Sequence, residues 1–450
     1  MSEICTRLSK QDIARISDIQ NIYTELMGSG TVVDPYKIGN IYELQSLICA
    51  DEKEHSILVD DIDAKITEQW NRVERYSEIF EKEDMVGNFG FELDLDNITE
   101  VIDVYTLNPD DECEQVDYSF DNKYTITIDE DFDSRIAIDY TIDEDHYMGF
   151  RPIGNIQGVI DGNGYTISGL YINRPFKSHV GFTNQVVGGE IKNLTLTDVT
   201  IHGDRNVGSI TGVTGYYTSS LPAGQITNCS SDGAVTGDGW IGGLTGKFYK
   251  GDIRQSSFNG SVEGCVGVGG LVGWSSNQLN QSYFIGSIKG DCNVGGLVGL
   301  NRGYIKNSYA RGYISNSMVW RVINKVWKKK YIIGNRTVGG LVGLNRGYIK
   351  NSYTTLKANH NCGLSGCLVG LNMRDEEDEG ILHNVYWEDY KANENAVNGS
   401  EDYLTNSTRT QDVVQSLSTN DMKNTDFYGF DFENVWTTED GEYPKLQWQE

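Results

Sequence analysis

Apolar and polar positions alternate along most of this chain in short bursts, of which YTISGLYI, EIKNLTLTDVTI and GYIKNSYARGYI are typical. Runs rich in β-branched and aromatic residues, bounded by glycines and turn residues, read as strands joined by tight turns. Glycines recur every few residues between them and disfavour long helices. The runs also repeat. VGGLVGLNRGYIKNSY stands unchanged at 294–309 and 338–353. Looser copies begin at Ile241, Val268 and Ser365, with weaker ones at Val180 and Val207. Starts from 241 onward lie 27, 26, 44 and 27 residues apart, the 44 being one period plus an insertion of 18. The 34 from 207 to 241 is a period plus a short insertion around Tyr216–Gly224.

A period of 26–27 holds three short strands and their turns. Coils of that size, stacked at about 4.8 Å, form a β-solenoid. The expected fold is therefore all-β: a right-handed parallel β-helix of about ten coils, roughly 45–50 Å long, with an N-terminal α-helix and a C-terminal cap. Stacking should line up like residues, and candidate lines are visible. One is a carboxamide ladder of Asn193, Asn228, Gln255, Gln281, Asn307, Asn351 and Asn384, expected to point inward and satisfy turn amides. Two residues before each is Ile191, Ile226, Ile253, Leu279, Ile305, Ile349 or Leu382, an inward aliphatic stack. A third line holds Cys265, Cys292, Met318 and Cys362. Cys265 and Cys292, one rung apart, read either as a disulfide or as small buried apolar side chains.

The remainder divides the chain. Residues 1–30 read as an amphipathic helix, with Ile16, Ile19, Tyr23 and Leu26 in its stripe and GSG at 28–30 ending it. It serves as a cap or an attachment helix. Residues 31–64 form the first coil, and 65–147 an acidic insertion with a helix at Glu68–Glu83 followed by acidic strands. Residues 148–400 are the main β-helix, and 401–450 the C-terminal cap, with a helix at Asp412–Lys423 and a Trp/Tyr-rich segment protecting the last open edge.

Composition narrows the function. Lys+Arg 37 against Asp+Glu 65 leaves a net charge of −28. A general nucleic-acid binder needs a basic face, so nucleic acid is not expected as a partner. No apolar run reaches the ~20 residues of a membrane helix. The charged N-terminus lacks an apolar secretory core. That fits assembly in the cytoplasm and release within a particle, or a signal already removed. Against this acidity, NSMVWRVINKVWKKKYIIGNR at 316–336 is an anomaly. It reads as a basic hairpin in which Trp320, Arg321, Lys325, Trp327, Lys328, Lys329, Lys330 and Tyr331 bind an acidic glycan or a neighbouring subunit, or fold back on the solenoid's own acidic side.

Chemistry is sparse. The six histidines make no HExxH or HxH pair, and no CxxC occurs, so no metal or cofactor is expected. Asp129-x-Asp131-x-Asp133 opens like a calcium loop but lacks the later glycine and glutamate. There is no GxSxG and no P-loop. The repeat carboxylates (Asp161, Glu190, Asp198, Asp204, Asp232, Asp238, Asp252, Glu263, Asp291) offer no pair that the period sets opposite each other on one strand face. This disfavours an enzyme. Of eight N-x-S/T sequons, Asn193 and Asn228 fall in the inward line and are expected to stay unmodified.

The repeated VGGLVGLNxGxIxNSY, with FRPIG…GVIDGNGYTISGLYINRP at 150–175, PYKIGNIYELQSL…ILVDDIDA at 35–64 and FENVWTTEDGEYPKLQW at 432–448, resembles the GLUG-motif family. The resemblance covers roughly 35–64 and 148–450. It implies a right-handed parallel β-helix on surface, adhesin-like or virion proteins, and is specific for fold rather than function. The long acidic insertion departs from the pattern. The expected function is a non-catalytic structural or adhesive protein of a virus particle or cell surface, such as a tail fibre, spike or decoration subunit. It would attach to a host-surface glycan or protein, or to other particle subunits, with a homotrimer open. The alternatives are a polysaccharide-degrading, tailspike-like β-helix enzyme and an intracellular scaffold for another protein.

Overall fold

Each repeat winds into one coil of a parallel β-helix, because every strand finds its hydrogen-bonding partner one period away. The computed structural model describes residues 24–70, the strands between 72 and 147, and residues 148–175, 177–216, 223–316, 337–358, 364–373, 380–389, 413–424 and 427–449. The chain forms two compact units. The larger holds the described residues of 22–68, 150–319 and 334–450, and the smaller includes those of 69–149.

In the larger unit the coil at 239–263 is representative. Gly239–Gly242 lies in a six-stranded wall and Thr245–Phe248 in an eight-stranded wall. Gly251–Arg254 and Ser257–Glu263 lie in a long wall whose strands bend once per coil. All three walls are parallel. In the long wall, successive pairings run from Tyr36–Ile38 through Ser56–Leu58 and Val159–Asp161 to Ile381–Glu388. The step of 44 residues is a single rung, since Val294 pairs with Val338 and Tyr304 with Tyr348. The excursion after Asp63 is absorbed in the same way, with Ser56 beside Ile160 and Ile62 beside Ile167. Gln45 closes that junction: its side chain donates to Arg151 O (2.9 Å) and accepts from Arg151 N (2.8 Å).

The repeat's glycines are set by how closely rungs approach. A Cβ on Gly270 would lie 2.2 Å from Gly296 O, and one on Gly273 would lie 2.5 Å from the Trp240 carbonyl carbon. Between them Leu271 points into the core, as do Leu244, Leu297, Leu341 and Leu368, all fully buried. Burying each such leucine contributes about 1.5–3 kcal/mol. Ile191, Ile226, Ile253, Leu279, Ile305, Ile349 and Leu382 are likewise buried and follow one another in register.

The carboxamide ladder is only partly the expected inward line: Asn307, Asn351 and Asn384 are buried, whereas Asn193, Gln255 and Gln281 are half-buried and Asn228 is exposed. Asn193, Asn228, Gln255, Gln281, Asn307, Asn351 and Asn384 all adopt a left-handed backbone, with φ between 47° and 52°. They form the bend of the long wall. Asn tolerates this conformation better than most residues, which explains the five asparagines among the seven. The side chains run along the corner. Asn228 is exposed and donates to Asn193 Oδ1 (2.9 Å), while Asn384 is buried and donates to Asn351 Oδ1 (3.2 Å). Asn228 is therefore not shielded by burial as the sequence reading assumed.

Two inward polar ladders do the work assigned to it. After five of these seven corners comes Cys229, Ser256, Ser282, Ser308 or Ser352; Leu194 and Val385 follow the first and the last. Each serine Oγ accepts the backbone N–H of the equivalent residue one rung earlier, at 3.2–3.3 Å. It donates to the carbonyl two residues before it, at 2.8–2.9 Å. The second ladder is Asn301, Asn345 and Asn372, in the LN of the repeat. Asn301 Nδ2 donates to Asn345 Oδ1 (2.8 Å), and Asn345 Nδ2 to Asn372 Oδ1 (2.7 Å). Asn345 also holds Gly347 through its N–H (3.3 Å) and its carbonyl (3.1 Å), so its amide is fully used.

The C-terminal cap also differs. Val414–Leu417 is a strand paired with Ile381–Glu388, and the helix is confined to Thr419–Asn424. Val413 and Val414 supply β-branched packing, and the open edge of the last coil supplies hydrogen-bond partners. The segment 427–449 then packs along the flank of earlier coils. It covers a ring stack of Tyr283, Tyr309 and Tyr353, whose neighbouring centroids are 5.1 Å apart. Trp436 and Phe430 pack on it, and Trp448 Nε1 donates to Gln281 O (2.8 Å).

In the smaller unit the strands are antiparallel. Tyr76–Glu81, Arg135–Ile142, Ile98–Leu107 and Cys113–Gln115 form one sheet; Gly90–Glu92, Thr125–Ile128 and Tyr118–Asp121 form another. The expected helix at Glu68–Glu83 is replaced by the end of a short 3-10 helix, Lys65–Gln69, and by strands Arg72–Val73 and Tyr76–Glu81. Pairing with Arg135–Ile142 overrides a weak helical preference. Of the expected N-terminal helix, 1–23 lies outside the described residues. Residues 24–30 are not helical, and Met27 bridges antiparallel to Lys37. A helix that was not expected, Ile41–Ser46, is capped by Asn40 Oδ1, which accepts from Tyr42 N and Glu43 N (both 3.0 Å).

The two asparagine ladders should respond differently to truncation. Asn345→Ala leaves buried donors and acceptors on three rungs unsatisfied and should cost about 2–4 kcal/mol. Asn228→Ala removes only a corner preference and an exposed bond, about 1 kcal/mol. Denaturant midpoints of the two variants check this; equal losses would refute the division into inner and outer ladders.

Candidate functional site

The expected binding residues Trp320, Arg321, Lys325, Trp327, Lys328, Lys329, Lys330 and Tyr331 lie outside the described residues, as do Asp129, Asp131 and Asp133. Among the described residues, a cluster of outward aromatic and basic side chains lies where the six- and eight-stranded walls meet.

The six-stranded wall has its own left-handed column: His179, Asn206, Trp240, Gly267 and Asn293, with φ between 52° and 67°. Asparagine and glycine suit that conformation, whereas a tryptophan there is an outlier that costs on the order of 1–2 kcal/mol. The indole of Trp240 lies over Gly267, where a Cβ would be 2.2 Å from its ring. On the adjoining wall Lys247 and Trp274 are register partners, so both project outward one rung apart. Lys247 Nζ sits 5.6 Å from the Trp240 ring and 5.7 Å from that of Tyr249, and Tyr249 meets Trp274 at 5.0 Å. All four side chains are half-buried, held in place yet reachable.

Two residues before Trp240, a corner carries carboxylates. Asp238 N donates to Asp204 O (2.7 Å), which sets these acids on adjacent rungs. Cys265 and Asp291 continue the column. The expectation that no two acids face each other concerned strand faces and did not extend to the turns. These acids sit in turns rather than on a strand face, so a search along strands passed over them. Burial raises the Asp204 carboxyl above its ordinary value; the Ser178 hydroxyl (3.2 Å from Oδ2) and Arg205 oppose that rise, and the charge of Asp238 adds to it. Burial also lowers His179, helped by Lys247.

The cysteine alternatives resolve toward thiols: Cys265 and Cys292 are both buried and form no disulfide. Cys292 is paired with Val266 rather than with Cys265. Burial pushes the Cys229 thiol up to about 12. Among the described residues no group of three or more His, Cys, Asp or Glu is placed to hold a metal ion, and no helix is long and apolar enough to cross a membrane.

No protein-family profile matches the chain. Over 104 residues, 22% of this chain, it is 38% identical to Halomucin of Haloquadratum walsbyi. The match covers only 1% of that protein's length. A crystal structure of a candidate immunoglobulin A1 protease from Bacteroides ovatus aligns over 95% of this chain and 96% of its own, with 18% identity and a TM-score of 0.46. That likeness is too distant to bear on activity.

Asp204 makes a pH-dependent contribution whose sign is fixed. Its folded-state pKa lies above the unfolded one, so the fold is favoured while the carboxyl is protonated. That stability is present below about pH 4 and is lost as pH rises through the raised folded value. Asp204→Asn mimics the protonated side chain. Its unfolding midpoint should match that of the parent near pH 3.5 and exceed it increasingly toward pH 7. A constant difference across that range would refute the assignment.

Proposed function

We propose that this chain is a GLUG-type, non-catalytic adhesive and structural β-helix of a virus particle or cell surface, serving as a tail-fibre, spike or decoration subunit and holding a host-surface glycan against the Trp240 wall. The observation that supports this most is Trp240 itself. A bulky residue occupies a left-handed corner where the neighbouring rungs carry Asn or Gly, and its ring lies over Gly267. Local strain at a surface position points to a use outside folding. Pyranose rings present C–H faces that pack on indole and phenol rings, and hydroxyls that accept from an ammonium. Trp240, Tyr249 and Trp274 offer the rings and Lys247 the donor. The parallel coils beneath hold these groups at rung spacing, so little ordering cost falls on binding.

Affinity electrophoresis in gels containing dextran, galactomannan or a host-envelope polysaccharide tests this reading. At least one should retard the parent, and Trp240→Asn and Trp274→Ala should each lose ~10-fold or more in affinity, as loss of an aromatic anchor does. Trp240→Asn should still fold, because relief of corner strain offsets lost packing. No retardation by any polysaccharide, or undiminished retardation of the variants, would refute it.

A second reading, cleavage of the bound glycan, is favoured by Asp204 and Asp238 on adjacent rungs beside Trp240. Retaining glycosidases hold two carboxyl groups about 5 Å apart, close to one rung, and need one of them with a raised pKa. Release of reducing ends that Asp204→Asn abolishes would establish this reading in place of the first.

A further inference from the structure

A different face, on the long wall, carries charge of the wrong sign for this molecule. The repeated RGYIK places Tyr304 beside Tyr348 and Lys306 beside Lys350 in strict register. The next rung sets Ile381 beside Tyr348 and His383 beside Lys350. Tyr304 is 62% exposed, and its ring lies 5.9 Å from that of Tyr348, which in turn stacks on His383 at 6.5 Å. Arg302 and Arg346 precede the two tyrosines and are also paired across rungs, Arg346 N donating to Asn301 O (2.7 Å). Both arginines, Tyr348 and His383 engage other groups as well, so Lys306, Lys350 and the exposed Tyr304 weigh most.

Like charges directly opposite each other in a sheet destabilise it. Here lysine stacks on lysine, with histidine next, in a chain of net charge −28. Along this face the outward residues of the strands at 278–280, 304–306, 348–350 and 381–383 are Gln278, Asn280, Tyr304, Lys306, Tyr348, Lys350, Ile381 and His383, none acidic. The nearest acid toward the N-terminus, Asp252, lies 3.8 Å from Arg254. Packing needs no such column, because the inward Ile305 and Ile349 already hold the rungs together. We infer that Tyr304, Lys306, Tyr348 and Lys350 form a binding face for an anionic polysaccharide, its sulfate or carboxylate groups bridging the stacked lysines and its sugar rings lying on the tyrosines. A strand of nucleic acid fits less well, since its charge density calls for a longer basic surface than these rungs provide.

The full chain, its Lys306→Gln/Lys350→Gln double variant and Trp240→Asn are titrated with dextran sulfate, polygalacturonate, uncharged dextran and a single-stranded oligonucleotide at several NaCl concentrations. The parent should bind at least one of the two acidic polysaccharides, and which one identifies sulfate or carboxylate as the ligand group. The double variant should bind it ~10-fold or more weakly at low salt, with a shallower dependence on salt, because fewer counterions are released. Without polyanion the double variant should melt above the parent; with it, the parent should gain more. Trp240→Asn should bind the acidic polysaccharide like the parent, which separates this face from the aromatic wall. Equal binding by parent and double variant, no binding of either acidic polysaccharide, or tighter binding of the oligonucleotide would overturn the inference.

Discussion

The structure depends on one recurring backbone event: the left-handed corner that bends the long wall once per coil. Seven corner residues from Asn193 to Asn384 share φ within a few degrees. Because each coil turns at the same point by the same amount, the strands on either side return to register with their neighbours. The side chain after the corner is then directed inward, where Ser256, Ser282, Ser308 and Ser352 take up backbone N–H groups of the preceding rung. A buried N–H left without an acceptor would cost roughly as much as a buried leucine contributes. The corner and the serine after it thus act as one device, and the NS of the repeat is its shortest form.

The same geometry explains why insertions are tolerated. A coil needs its corners and three strands, not a fixed length between them. The excursion between Asp63 and the return to the long wall at Val159 leaves Ser56 beside Ile160, and the longer step after Val294 leaves Val338 in place. Loop closure grows only slowly with length, so a long insertion at a turn costs little once the flanking rungs are stacked. One flank of the array, where Tyr309, Tyr353 and Tyr386 line up, needs cover to bury its rings. The C-terminal segment meets that need by laying Trp436, Phe427 and Phe430 over Tyr309, Tyr353 and Tyr386 rather than by sealing the end of the coil alone.

Much of the fold was legible because period and composition are backbone properties. Copies of VGGLVG mark where each coil starts, and the inward Ile and Leu positions follow by counting. Less legible was the direction of polar side chains. Asn307 and Asn345 look alike in a repeat alignment and both are buried, yet the first sits at a left-handed corner with a single long side-chain bond to Asn280 Oδ1 (3.4 Å), and the second makes four hydrogen bonds inside the core. The helix expected at Glu68–Glu83 failed for a related reason: its pairing partner, Arg135–Ile142, lies far away in sequence. Asp204 and Asp238 were visible three positions before Val207 and Ile241, but only an alignment that includes turns reveals them. Trp240 was detectable as the bulkiest residue in a column otherwise of His, Asn and Gly, a signal that has meaning once the column is known to be left-handed.

Stacked repeats also change what a surface residue can do. On an ordinary domain one exposed lysine or tyrosine is a weak, isolated contact. In a parallel coil the same residue, copied once per period, recurs at about 4.8 Å along a straight line. Self-repulsion and binding capacity then grow together, since each added lysine destabilises its neighbour and gains from the same polyanion. Opposite forces act on the two exposed faces. At the Trp240 wall one aromatic residue is forced into a costly corner and the rings around it differ in kind; on the Lys306 face identical residues repeat. A mixed aromatic cluster suits recognition of one sugar unit, whereas a periodic column suits a polymer with periodic charge. The two proposed faces would therefore differ in the kind of ligand they fit, and that difference follows from whether the repeat was kept or broken at each place.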